Sequence, residues 1–124
     1  RMVDMVMDIR KGSPTLGHII AYALPDSLDA DYSEWIWVPP GFAHGNYFTV
    51  ESTIEYFCTA EYSPTTESGI SPLAPDIDWS QCDPSLKAEF DLIVQHSANM
   101  SEKDRDGQSL ADWLADPRSN HYTI

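Results

Sequence analysis

Basic residues are scarce. Seven Lys and Arg stand against 20 Asp and Glu, a formal net charge of -13 in 124 residues. Such a surface repels phosphate polyanions, which excludes nucleic acid and an anionic membrane as partners by bulk electrostatics. An anionic small ligand needs only a few local cations and stays open. No apolar run approaches the ~18 residues of a membrane span, and no signal-peptide pattern is present. There are only two cysteines, Cys58 and Cys82. Without a secretory signal both read as free thiols in a reducing cytoplasm. No HxH or similar ligand spacing occurs and the histidines are scattered singly, so no metal site is expected.

What is present is a globular composition, 42% hydrophobic, in a length that suits one domain, 1–124. The alternation over Met2–Ile9 puts Val3, Met5, Met7 and Ile9 on one face of a strand and Asp4, Val6 and Asp8 on the other. A strand face bearing two acids is wet or lines a polar cavity. This pattern is already under way at Val3 in a chain that opens on Arg1. It reads as a domain entered partway. Arg10–Pro14 is a turn, and His18–Leu24 a second strand. Pro25–Ser33, with Asp26, Asp29 and Asp31, reads as an exposed loop.

The stretch Trp35–Gly45, WIWVPPGFAHG, predicts a short strand stopped by Pro39 and Pro40, which cannot donate to a ladder. A tight turn at Gly41 follows, and then His44 at the start of a new strand. Asn46–Val50 and Ser52–Ala60 predict two further strands, the latter with Ile54, Tyr56 and Cys58 on one face. Tyr62–Pro75 reads as loop. Leu86, Phe90 and Ile93 give Ser85–Gln95 helical spacing. Ser109 and Asp112 form a capping-box pattern for a short helix that Pro117 ends. Five or so strands with helix only late predict an all-β sandwich or barrel.

Six blocks carry a family resemblance in the same order: DIRKGSPTLG, WVPPGFAHG, EYFCTAEYSP, Gly69-Ile70, DIDW and SEKDR. The chain from Val3 to about Trp113 resembles the dTDP-4-dehydrorhamnose 3,5-epimerases. The resemblance implies an all-β fold, an incomplete cupin-like jelly roll with a short C-terminal helix. It also implies epimerisation at C3, C5 or both of a dTDP-4-keto-6-deoxy sugar. A proton is removed beside the C4 ketone and returned on the other face, without metal or organic cofactor. The setting it implies is a cytoplasmic homodimer that takes a nucleotide-sugar substrate in dTDP-rhamnose biosynthesis for cell-wall polysaccharide.

By the same resemblance, Tyr56 stands at the position of the acid that reprotonates the sugar. Asp104 stands at that of the aspartate pairing with the catalytic histidine. His44 matches a histidine that helps bind the keto-sugar, Tyr62 a tyrosine near the nucleotide base, and Asp8 a strand acid facing the pocket. Three of these also have a plain structural reading: a core tyrosine for Tyr56, a core histidine for His44 and, for Ser101-x-x-Asp104, a helix cap. The family's RGLH-type base motif and the lysine after it have no counterpart in this sequence. Phe57 stands where a lysine often follows the tyrosine, and Glu61 replaces one tyrosine of a usual pair. An active epimerase and a catalytically inactive cupin that only binds sugar nucleotide, or serves a structural role, are the two expectations.

Overall fold

The computed structural model describes residues 1–25, 31–96 and 99–124. Three strands form one antiparallel sheet in the order β2-β1-β3: β1 (Met2–Asp8), β2 (Ile19–Leu24) and β3 (Phe42–Phe48). The helices follow: α1 (Pro84–Val94), α2 (Glu102–Arg105) and α3 (Leu110–Ala115), with a 3-10 turn at Pro117–His121. The architecture is an incomplete all-β, cupin-like jelly roll, with short helices packed on one side.

β1 is central because its alternation is the strongest in the chain. Val3 pairs with Ala23 and Tyr47, Met5 with Ala21 and Gly45, and Met7 with Ile19 and Ala43. Paired residues share a face, so these side chains build one apolar layer. α1 lays Phe90 on it, with Leu86, Ile93 and Val94 around, and Leu110 and Trp113 of α3 extend the same core. Phe90 stacks on Trp79 at 5.3 Å and meets Tyr47 at 5.9 Å between ring centroids. Burial of this layer supplies the main driving force for folding.

The helix ends are set by the residues the sequence marks. Asp83 caps α1, accepting from the backbone N–H of Ser85 and Leu86, with Pro84 in the first turn. The Ser109–Asp112 capping box forms as expected. At the other end of the core, Lys11 bridges to Thr123, tying the last residues to the turn after β1.

Two expected strands do not form. Trp35–Val38 runs without ladder bonds, and Trp35 and Trp37 are exposed. Ser52–Ala60 has no strand either, and Tyr56 and Phe57 project into solvent. Alternation offers a strand two faces but not a partner edge, and a strand exists only once its ladder is paired. Pro39 and Pro40 remove two donors from the first segment. β3 begins earlier than Asn46, at Phe42, because Gly41 (φ +95°) turns the chain straight into register with Asp8. The acids Asp26 and Asp29 of the expected loop lie outside the described residues; Asp31 is exposed.

Candidate functional site

The second face of the sheet carries the polar chemistry. Here β1 presents Asp4, Val6 and Asp8, β2 presents Ile20 and Tyr22, and β3 presents Phe42, His44, Asn46 and Phe48. The outer strands leave this face open: Ile20, Tyr22 and Phe48 are exposed. The floor is not wet, since Asp4 and Asp8 are only 4% and 3% exposed. The face is a trough with a buried acidic floor.

Asp4 and His44 meet across the β1–β3 ladder, His44 Nε2 lying 2.5 Å from Asp4 Oδ1. The carboxylate accepts, so Nε2 carries the proton and Nδ1 is left for a ligand. This hydrogen bond raises the His44 pKa above its ordinary value, against the opposing effect of desolvation. The His44 side chain is 44% exposed against 4% for Asp4. A half-open imidazole is thereby oriented by a buried carboxylate.

Asp8 has a different set of partners. Arg10 grips it through Nε at 2.9 Å and Nη2 at 2.8 Å, while the Ser13 and Thr15 hydroxyls donate to Oδ2. The guanidinium holds the Asp8 carboxyl well below the usual carboxylate range. Arg10 also covers the Phe42 ring at 4.6 Å, and Ile9 N–H donates to the Gly41 carbonyl at 3.1 Å. This cluster fixes the entry of β3, two residues before His44.

Of the remaining sequence candidates, Asp104 comes to a cavity that His44 also lines, while Tyr56 and Tyr62 stand exposed. Asp104 lies in α2, where its backbone N–H donates to Ser101 Oγ at 3.1 Å and Ser101 donates back to Oδ2 at 2.7 Å. Its surroundings are the rim of a cavity of about 140 Å³ against the apolar face, between Met5, Met7, Phe90 and Ile93. His44 lines the same cavity, so these two residues share it. Tyr56 is 73% exposed. Among the described residues no hydrogen bond joins it to His44 or Asp104. Tyr62 is exposed and its hydroxyl donates to Glu67 at 2.9 Å. Cys58 and Cys82 are free thiols, Cys58 exposed and Cys82 buried, with burial raising the Cys82 pKa. Among the described residues no His, Cys, Asp or Glu cluster could hold a metal ion, and no helix is long and apolar enough to cross a membrane.

Sequence reasoning passed over Asp4 as a site residue. The two acids of β1 share a face, but only Asp8 has an arginine two positions on, within easy reach. That local partner was the available signal that Asp4 is the acid left for His44.

A jelly-roll sheet with a carboxylate-oriented imidazole on its open face defines the class, a cupin-like protein with a polar trough. The particular family follows from comparison. The family model of dTDP-4-dehydrorhamnose 3,5-epimerase matches residues 1–112, and the chain belongs to this family. It is 34% identical over 110 residues to the dTDP-4-dehydrorhamnose 3,5-epimerase of Pseudomonas aeruginosa, covering 88% of this chain and 52% of that protein. The enzyme of the same description from Mycobacterium tuberculosis is 33% identical over 110 residues, 88% of this chain and 48% of the relative. That from Methanothermobacter thermautotrophicus is 36% identical over 110 residues, 86% of this chain and 51% of the relative. The chain thus spans about half the length of the curated relatives it matches. No solved structure matches it.

Proposed function

We propose that the chain provides one wall of the site of a dTDP-4-keto-6-deoxy sugar 3,5-epimerase in dTDP-rhamnose-type nucleotide-sugar biosynthesis. The Asp4–His44 pair on the open trough carries this reading. A C–H beside a ketone is acidic because the carbanion delocalises onto oxygen as an enolate. Catalysis therefore needs a base, an acid on the other face and a donor at the enolate oxygen. His44 supplies the donor. With Nε2 bonded to Asp4, a protonated imidazole directs Nδ1–H at the C4 oxygen, and the raised pKa keeps that form populated to higher pH. The ketone itself acidifies the reacting C–H, so the scheme uses neither metal nor organic cofactor.

Tyr56 is assigned the return of the proton and Asp104 the orientation of the base histidine, both through the family pattern. Tyr62 is assigned to the nucleotide base, and Asp8 supports the pocket by anchoring β3. The base belongs to an RGLH-type motif that these 124 residues do not contain, so this chain binds and orients rather than abstracts. The assembly proposed is a cytoplasmic homodimer.

A second reading is a catalytically inactive cupin that retains sugar-nucleotide binding or a structural role. One experiment addresses both. The chain is mixed with dTDP-4-keto-6-deoxyglucose in D2O and followed by saturation-transfer NMR and mass spectrometry. The expected result is saturation transfer to the sugar protons without deuterium at C3 or C5. Deuterium uptake would give this chain a base of its own and overturn the division of roles. Absence of saturation transfer would overturn sugar-nucleotide binding.

A further inference from the structure

Tyr22 stands directly opposite Asp4 in the β1–β2 ladder, so its ring rises from the same face as the His44 imidazole. On β3, Asn46 stands opposite Asp4 and His44 opposite Val6, so His44 reaches Asp4 diagonally and, with Asn46, faces Tyr22 across β1. Adjacent strands lie about 4.8 Å apart, which separates β2 from β3 by about 10 Å across β1. A ligand ring held between Tyr22 and His44 would therefore lie across β1, beside the Asp4-bound imidazole.

The two walls differ in polarity. The Tyr22 O–H donates to Glu34 Oε2 at 2.8 Å. A phenol has a single proton, so with it committed the oxygen is left only to accept. The Glu34 carboxylate also raises the phenol pKa, which holds Tyr22 in its protonated form. The opposite wall, His44, is a donor when charged. Tyr22 is also 51% exposed, so its ring is available to a ligand rather than consumed by the core.

We infer that Tyr22 is a specificity-determining residue of this site, accepting a hydrogen bond from a ring hydroxyl of the sugar while the ketone lies against His44. The inference rests on the epimerase reading above. In a 4-keto-6-deoxyhexose the ketone only accepts and the ring hydroxyls donate, so a donor wall and an acceptor wall select one orientation. A reversed ring sets the ketone against the Tyr22 oxygen, two acceptors face to face, and leaves His44 without its acceptor. The exposed ring adds an apolar surface for the C–H edge of the sugar.

The test compares dTDP-4-keto-6-deoxyglucose with dTDP alone as ligands of the wild-type chain and of Tyr22→Phe and Tyr22→Leu, by NMR titration. Tyr22→Phe keeps the ring and is expected to weaken the sugar nucleotide roughly 3- to 10-fold, the loss of one neutral hydrogen bond. Tyr22→Leu removes the ring too and weakens it further, and dTDP affinity is unchanged in both. An unchanged ratio of the two affinities in Tyr22→Phe overturns the inference. So does equal weakening of both ligands, which is the signature of a structural role. A wild-type chain that does not prefer the sugar nucleotide over dTDP overturns the epimerase reading, and this inference with it.

Discussion

Asp4 and His44 are 40 positions apart in sequence and 2.5 Å apart in space, one buried and one half-exposed. The pairing makes pH a direct probe of the site. The folded pKa of His44 is raised above the ordinary 6.5. The stabilisation is therefore fully present below the unfolded pKa and is lost as pH rises through the folded value. Asp4→Asn removes the main cause and is expected to return the His44 pKa toward its ordinary value. Imidazole C–H shifts across pH 5 to 9 check this, and an unchanged midpoint in Asp4→Asn contradicts it.

Asp8 has the opposite sign. Its folded pKa is depressed by Arg10, Ser13 and Thr15. Its contribution is present above the unfolded carboxylate value and is lost as pH falls from there toward the folded one. Asp8→Asn is expected to cost roughly 2–3 kcal/mol at neutral pH, the scale of hydrogen bonds to a charged group. The difference between variant and wild type should shrink below about pH 4, where the carboxyl of the unfolded chain begins to protonate while the folded one stays ionised. Urea melts at pH 7 and pH 3 measure it.

Gly41 couples this cluster to His44. A Cβ there would sit 2.7 Å from Arg10 Cγ, and its φ of +95° is one that L side chains rarely adopt. Gly41→Ala is expected to destabilise by about 1–3 kcal/mol and to perturb the His44 resonances. Intact His44 shifts in a destabilised Gly41→Ala would separate the turn from the site.

Phe90 is the main contact of α1 with the sheet and is 4% exposed. Phe90→Ala is expected to cost about 3–5 kcal/mol, lowering the thermal midpoint without moving the His44 pKa, since Asp4 sets that pKa. A coupled change in both would show that the core and the Asp4–His44 pair are not independent.

Trp35, Trp37, Tyr56 and Phe57 are 61–76% exposed, and Trp35 and Phe57 meet at 5.4 Å. Together they form an apolar patch of the kind that drives association. The chain is expected to self-associate at micromolar concentration, and a Trp37→Ser, Phe57→Ser double variant to shift toward monomer. A wild-type monomer in sedimentation velocity contradicts this.

Much of the molecule was legible in the chain. The alternation of Val3, Met5 and Met7 specified a strand with a buried face, because a period of two has no other use at that length. Ser109 and Asp112 marked a helix start, because their side chains bond backbone N–H groups only a few residues on. The Asp8–Arg10 pair is of the same local kind. Trp35–Val38, an aromatic and β-branched run, and Ser52–Ala60, with its alternation, formed no strand, because composition does not supply a paired edge.

The sequence by itself determined the family, the central strand, the helix caps and the presence of a histidine just past a proline-glycine turn. All of these depend on contacts within a few residues or on the order of the motifs. Only the tertiary structure decided which acid His44 would meet, that Asp104 and His44 line one cavity, and that Tyr22 stands opposite Asp4. Those outcomes depend on ladder register, which pairs residues far apart in the chain and moves every side chain to the other face when it slips by one position.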